Sequence, residues 1–509
     1  AAAHFNVPHA WRGLDDAQAV ALCPVVPSVV VPAHEVRELP RESAGGDALY
    51  PTHLRRRALR LGWKRRMHQG TRLGLASPLL MSLAAAPAAL GVLAGKAFAP
   101  GALGRFVQRL RAGFDIPVAT KIEISAPNDS PEAKPESRRL GFTDVEQADR
   151  VQTLLRNTGL TYGFAPLVVI MGHASHSQNN PHASAYNCGA CAGRYSGPNA
   201  RLVSAMANRP AVRALLAERG IRIPDDAWFI GSEHDTCDDI VTWYDEVLVP
   251  VGLRPALEKL KADVTEACKL HAQERCRRFM SAPLDLTPEA AWKHVTGRAN
   301  DYSQARPELG HATNAAAFFG RRSLSRGAFF DRRAFLISYD PSQDPAGEVL
   351  ERHLVINGAV GAGISLEYYF SSANNERYGC STKVMHNVAG LIGVMEGASS
   401  DLRTGLPRQM IEVHEAMRLL VVVEHKLDVL TAIYQRQPAV QELVRNEWLQ
   451  LVAIDPETDE IHRFVVGTGW VKWQPEGPDL PRVRRSSEWV RGQREPLPPV
   501  LIEKAVEAA

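Results

Sequence analysis

The chain has 509 residues, 45% hydrophobic and 23% charged, which is ordinary globular usage for two to four domains with a sizeable core. Its 59 Lys and Arg against 56 Asp and Glu leave a formal net charge of +3. That balance offers no general attraction to nucleic acid, and no nucleic-acid-binding motif accompanies it. Seven cysteines, an odd number in a long chain, favour reduced thiols over a disulfide framework.

In chain order, residues 1–50 read as irregular and Pro-rich, with a strand-like run at 25–31. The chain starts at Ala1, inside what reads as a folded segment, so a processed or N-terminally truncated chain is expected. Residues 53–66 form a basic helical stretch that suits a solvated face or a contact with anionic lipid or a partner. Residues 73–95 carry no charge and are long enough to cross a bilayer. Pro78, Pro87 and the heavy use of Ala and Gly favour instead a buried hairpin, or a helix lying on a membrane or partner surface.

Residues 128–139 are polar and Pro-interrupted, the pattern of a linker. Beyond them the periodicity turns α/β. A helix is expected at 144–157, a buried strand at 163–172 running into a Gly-rich loop, helices at 199–207 and 211–219, a short strand at 227–231 and a long helix at 257–278. A second α/β block follows, with strands near 334–338, 354–357, 419–423 and 449–454 and helices at 426–435 and 439–446. The implied organisation is an N-terminal remainder (1–127), a linker (128–140), a loop-bearing α/β domain (141–300), a second α/β domain (301–475) and a surface tail (476–509).

The chemistry concentrates in residues 171–201, where His173, His176, His182, Cys188 and Cys191 fall among several glycines. This segment starts where the buried strand ends, and open α/β sheets place ligands at the carboxyl edge of their strands. Zinc takes imidazole nitrogen and thiolate sulfur in a tetrahedral array. His173 at the strand end and Cys188 in the following loop supply two such donors. Cys188 and Cys191 also form a Cys-x-x-Cys pair, which suits a thiol redox site or half of a four-cysteine zinc knuckle. The absence of a second such pair counts against the knuckle. The long polar loop before the pair counts against a thioredoxin-like site. Buried apolar cysteines beside a hydrogen-bonded histidine are the bland alternative. His176 and His182 are placed either to move protons or simply to face solvent.

Several motifs resemble one family. They are Gly172-His173-Ala174-Ser175, Asn179-Asn180-Pro181, Cys188-Gly189-Ala190-Cys191 and Pro198-Asn199-Ala200-Arg201. Further on come Ile223-Pro224, the run from Trp228 to Asp235, Arg333-Ala334-Phe335-Leu336, Glu367-Tyr368-Tyr369-Phe370-Ser371-Ser372, Lys383-Val384-Met385-His386-Asn387-Val388 and Asp401-Leu402-Arg403-Thr404-Gly405-Leu406-Pro407. In this order they resemble the DabA family of inorganic carbon transporter subunits, across most of residues 140–455. Cys237 and Cys380 stand where that family usually has small hydroxyl residues.

The resemblance implies an α/β fold with a β-carbonic anhydrase-like core, a second α/β block and additional helices. It implies a Zn2+ site of two Cys, one His and one Asp, of which His173 and Cys188 are two. The other Cys and the Asp belong to a Cys-x-Asp-x-Arg strand motif earlier in the family's order. No such motif precedes His173 here, and Cys23 is followed by Pro24 and Val25. The site is therefore expected to be recognisable but incomplete within this chain. No catalytic residue is assigned; His234 and Asp235 are candidates to support the site from beside it. Lys383, His386, Asp401 and Arg403 suit either an interface or the core.

The implied function is that of a zinc-binding subunit of a membrane-associated, energy-coupled complex that accumulates inorganic carbon by converting CO2 to bicarbonate vectorially. Any carbonic anhydrase-like activity would need the complex and the upstream ligands. The implied partner is a membrane-embedded, cation-translocating subunit of DabB type. The implied location is peripheral, on the cytoplasmic face of the bacterial inner membrane. Two other classes compete: a thiol redox protein using Cys188 and Cys191, and a structural zinc module of a membrane complex.

Overall fold

The computed structural model describes residues 7–22, 32–42, 46–70, 72, 74, 76–114, 116–175, 194–301, 303–304, 313–380 and 405–503. The run at 25–31 lies outside these residues. The first sheet is built from β1 (His9–Arg12), β2 (Val20–Leu22), β3 (His34–Pro40), β4 (Thr120–Glu123) and β5 (Arg139–Leu140). β1 pairs antiparallel with β2 and parallel with β3, which also pairs with β4 and β5.

Between β3 and β4 the chain leaves this sheet through three helices: α1 (Gly46–Gly70), α2 (Ala76–Phe98) and α3 (Pro100–Phe114). The basic stretch and the charge-free stretch are thus both helical. α2 continues through Pro87 and has no buried residue, so the buried-hairpin alternative does not form. It is long and apolar enough to cross a membrane by length and composition.

The central unit is α/β. α4 (Asp144–Asn157) starts at a capping box in which the Thr143 hydroxyl accepts from the Glu146 amide and Glu146 accepts from the Thr143 amide. This reciprocal pair satisfies two donors that every helix start leaves open. β6 (Leu167–Ala174) pairs parallel with β7 (Trp228–Asp235), and β7 pairs antiparallel with β8 (Ile240–Trp243). The connection from β6 to β7 carries α5 (Gly197–Ala207) and α6 (Pro210–Glu218). After β8 come α7 (Arg254–Cys276) and α8 (Pro288–Arg298). One core joins Val36, Ile124 and Phe142 of the first sheet region to Val151, Leu202, Met206 and Phe229 of the central unit. On the other side of the central sheet, Ile230 packs with Leu257 and Leu260 of α7.

The C-terminal sheet has the order β11-β9-β12-β13-β14-β15. Its members are β9 (Ala316–Gly320), β11 (Ala334–Ser338), β12 (Leu419–Glu424), β13 (Leu449–Ile454), β14 (Ile461–Val465) and β15 (Gly469–Trp473). The first four are parallel and the last two antiparallel. The strand expected at 354–357 is instead a π-helical turn, Leu354–Gly358, between α9 (Glu348–His353) and α10 (Ala359–Ala373). Val355 and Ile356 favour a strand locally, but Leu350, Leu354 and Ala362 recur at helical spacing into the core beside Val421 and Val423, and burial overrides the local preference. Such a wide turn is commonly a single insertion within a longer helix. A small third sheet joins β10 (Ala328–Phe329) to β17 (Val500–Ile502) and β16 (Arg482–Val483). The tail is mostly exposed but is held there by buried Val490 and Val500.

Candidate functional site

The carboxyl ends of β6 and β7 are set by three glycines. A Cβ on Gly172 would stand 2.6 Å from the Ser196 backbone, and one on Gly231 would stand 2.7 Å from Arg201 Cα. A Cβ on Gly197 would meet the Glu233 carboxylate at 2.2 Å. Only hydrogen at these positions lets α5 lie directly on the strands. The Glu233 carboxylate accepts the Gly197 amide at 2.9 Å and fastens the start of α5.

His173 sits at the end of β6, half-buried. Its carbonyl accepts from the Ser196 amide at 2.9 Å and from the Ser196 hydroxyl at 3.1 Å. Ser196 also accepts from the His173 amide. The chain between 174 and 195 therefore leaves and returns at His173. Cys188, Cys191, His176 and His182 belong to that stretch and lie outside the described residues.

His173 is in register with His234, and Ala174 with Asp235. Alternation along a strand places His173 and His234 on the face opposite Gly172. That face looks towards α7. The Thr236 hydroxyl donates to the Ala174 carbonyl at 3.1 Å and stands 3.4 Å from His173 Nε2. Beside it, the Ser175 hydroxyl is 3.1 Å from Cys237 Sγ. The Asp235 carboxylate accepts the Cys237 amide at 2.9 Å and thereby shapes the turn after β7.

A second set of groups meets across this face. His234 Nε2 lies 3.2 Å from Asp239 Oδ1. The other Asp239 oxygen accepts from Arg275 of α7, with both residues buried. Asp239 holds a left-handed backbone, φ 51°, which directs its carboxylate back under the strand end. Cys268 stands two helical turns before Arg275, and its Sγ lies within 4.8 Å of the His234 and Asp239 donor atoms. Burial disfavours the His234 imidazolium, but hydrogen bonds with Asp239 and Cys268 and the Asp239 charge outweigh it, and the pKa is pushed up to about 9. Arg275, Asp239, His234 and Cys268 thus form one connected set of polar groups between α7 and the strand end. These three donors could hold a metal ion by residue type and spacing, though a cation entering there must displace the His234 proton.

The sequence pointed to His234 but not to Asp239, Cys268 or Arg275. Signals existed: a Cys-Asp-Asp turn directly after the strand, and seven-residue spacing that puts Cys268 and Arg275 on one helix face.

The profile of the family described as "Probable inorganic carbon transporter subunit DabA" matches residues 1–449. The chain belongs to the DabA family. It is 53% identical over 503 residues to the "Probable inorganic carbon transporter subunit DabA" of Dechloromonas aromatica, covering 99% of this chain and 49% of that protein. It is 53% identical to the Methylococcus capsulatus protein of that name (99% and 46% covered) and 48% identical to that of Nitrosococcus oceani (98% and 45% covered). The chain thus spans about half the length of the curated relatives it matches. No solved structure matches it.

Two of the DabA motif residues have clear structural work. Arg201 is buried and holds both oxygens of Asp245, at 2.6 and 2.8 Å, together with Glu38 at 3.0 Å and the Thr120 carbonyl at 2.8 Å. Asn199 exchanges hydrogen bonds with the Val7 backbone at 2.9 and 3.2 Å. Both fasten α5 to the first sheet region. Lys383, His386, Asp401 and Arg403 lie outside the described residues.

Proposed function

We propose that this chain is the part of a DabA protein that contributes His173 and Cys188 to a zinc site, within a membrane-associated complex that accumulates inorganic carbon. The family match over residues 1–449 carries the reading, and the pinned carboxyl end of β6 supports it. The donor chemistry fits zinc: an imidazole and a thiolate are ligands that it accepts. The remaining Cys and Asp ligands come from a Cys-x-Asp-x-Arg segment outside residues 1–509.

A zinc ion held there by His173 and Cys188 would supply Lewis acidity and lower the pKa of bound water towards about 7, the chemistry that CO2 hydration at neutral pH needs. The chain's own residues do the positioning. The Thr236 hydroxyl, which donates to the Ala174 carbonyl, stands 3.4 Å from Nε2 of His173 and would help to orient the ring. Ser196 fixes the His173 backbone. The Asp239–His234 pair keeps a cationic imidazolium on the same face, which favours an anionic product such as bicarbonate nearby. The complex makes hydration one-way by coupling it to cation flow through a membrane-embedded subunit of DabB type, and the protein sits peripherally on the cytoplasmic face of the inner membrane.

The test is uptake of labelled inorganic carbon by cells expressing the intact protein with its membrane partner. Cys188→Ser and His173→Ala should each abolish uptake while the protein still accumulates and folds. Uptake that survives both substitutions, or a Cys191→Ser variant that loses uptake while Cys188→Ser keeps it, overturns the reading; the latter result belongs to a thiol redox protein.

A further inference from the structure

We propose that α1 and α2 form an arm by which this protein docks directly onto an anionic lipid bilayer. The observation is a succession of charge, aromatic side chain and apolar surface along two consecutive exposed helices. Residues 55–66 of α1 hold six Arg and one Lys and no acidic residue. Arg55, Arg56, Lys64, Arg65 and Arg66 are exposed. Trp63, among them, is 66% exposed. α2 follows with no buried residue, and its charge-free run lies between Arg72 and Lys96.

On α2, Leu79, Leu83, Leu90 and Leu93 are each at least 60% exposed. At helical spacing they fall within about 80° of one another, so they make one leucine face rather than a scatter of apolar residues. Water-facing apolar surface on this scale marks an interaction site. The neighbouring cations select the occupant. A basic helix, an interfacial tryptophan and a leucine face with flanking Arg and Lys match headgroup phosphates, the interfacial zone and acyl chains in turn.

The arm is fastened to the body at its base. His53 Nε2 bonds Asp15 at 2.9 Å, and the Arg57 guanidinium donates to the Asp15 carbonyl at 2.7 Å. At the return, Gln108 of α3 donates to Asp238 at 2.9 Å, one residue from Asp239. The leucine face thus projects from the body while its root touches the turn beside His234.

The test is sedimentation of the 509-residue chain with protein-free vesicles. Pure phosphatidylcholine is compared with phosphatidylcholine containing phosphatidylglycerol, at low and high salt. Binding should need phosphatidylglycerol and weaken with salt. Reversing Arg55, Arg56, Arg65 and Arg66 to Glu should weaken binding on the order of a hundredfold or more. Leu83→Ser with Leu90→Ser should weaken it on the order of tenfold while leaving thermal unfolding unchanged, because α2 buries nothing. Absence of binding to phosphatidylglycerol vesicles, or binding unmoved by both sets of substitutions, overturns the proposal. So does binding to native membranes but not to protein-free vesicles, which would mean that a protein covers the leucine face. The zinc reading fails separately, since a variant that no longer binds vesicles keeps His173 and Cys188 intact.

Discussion

α5 and α2 are both rich in alanine with little charge, yet nearly every residue of α5 is buried and none of α2 is. Composition does not separate them. What separates them is the means of attachment. α5 has glycine on both sides of its contact with the sheet and buried polar latches, Arg201 and Asn199, that reach into the first sheet region. α2 carries few polar side chains and buries none of them, Ser77 bonding only back to the Gly70 carbonyl of α1, and its apolar face is left for an occupant outside the chain. A helix is admitted to a protein interior by shape and by satisfied polar groups as much as by hydrophobicity.

Four experiments test this contrast. The largest effect is expected from Arg201→Ala, which removes the buried guanidinium joining Asp245, Glu38 and the Thr120 carbonyl to α5 and leaves Asp245 with Arg41 alone as a cationic partner; a loss of about 3–5 kcal/mol in urea unfolding is expected. A loss below about 1 kcal/mol would show that the latch does not hold α5. Gly231→Val comes next, since its Cβ would lie 2.7 Å from Arg201 Cα; about 2–4 kcal/mol is expected, with α5 displaced. An unchanged melting curve would refute the close approach.

The third effect is pH-dependent. The His234 pKa is raised from 6.5 to about 9, so its stabilisation is fully present below about pH 6.5 and disappears as pH rises through about 9. The shift corresponds to at most about 3 kcal/mol. Unfolding free energy followed from pH 6 to 10 should fall for the parent chain and stay flatter in His234→Gln. Identical profiles would remove the Asp239–His234 pair from the account. The smallest effect belongs to α2: in the absence of lipid, Leu83→Ala should change stability by less than about 0.5 kcal/mol. A cost above about 2 kcal/mol would mean that the leucine packs within the molecule.

Much of the architecture could be read from the chain. The helix at Asp144–Asn157 was legible from its amphipathic period, and the structure adds a capping box at its start. The strands read at 163–172 and 227–231 showed as apolar runs, but both continue further, to Ala174 and Asp235, because ladder pairing carries on into polar residues that periodicity assigns to the following loops. The turn Leu354–Gly358 was not legible, because Val355 and Ile356 favour a strand and only the long-range packing of Leu350 and Leu354 reverses them. The site was half legible. His173 advertised itself by following a buried strand, and His234 by closing the next one. Asp239, Cys268 and Arg275 did not, because their meeting depends on α7 crossing the sheet face, a contact made some thirty residues away in sequence. For α2 the sequence left a buried hairpin and a surface helix open, and its lack of buried residues decides for the surface helix.

The central claim is a zinc ion held by His173 and Cys188. Zinc content and the zinc-edge X-ray absorption spectrum of the intact protein test it most directly. The account predicts about one zinc per chain with mixed sulfur and nitrogen or oxygen donors, lost in Cys188→Ser and retained in Cys268→Ser. A zinc-free intact protein contradicts it, as does zinc that survives Cys188→Ser and disappears in Cys268→Ser, which would move the metal to His234, Asp239 and Cys268.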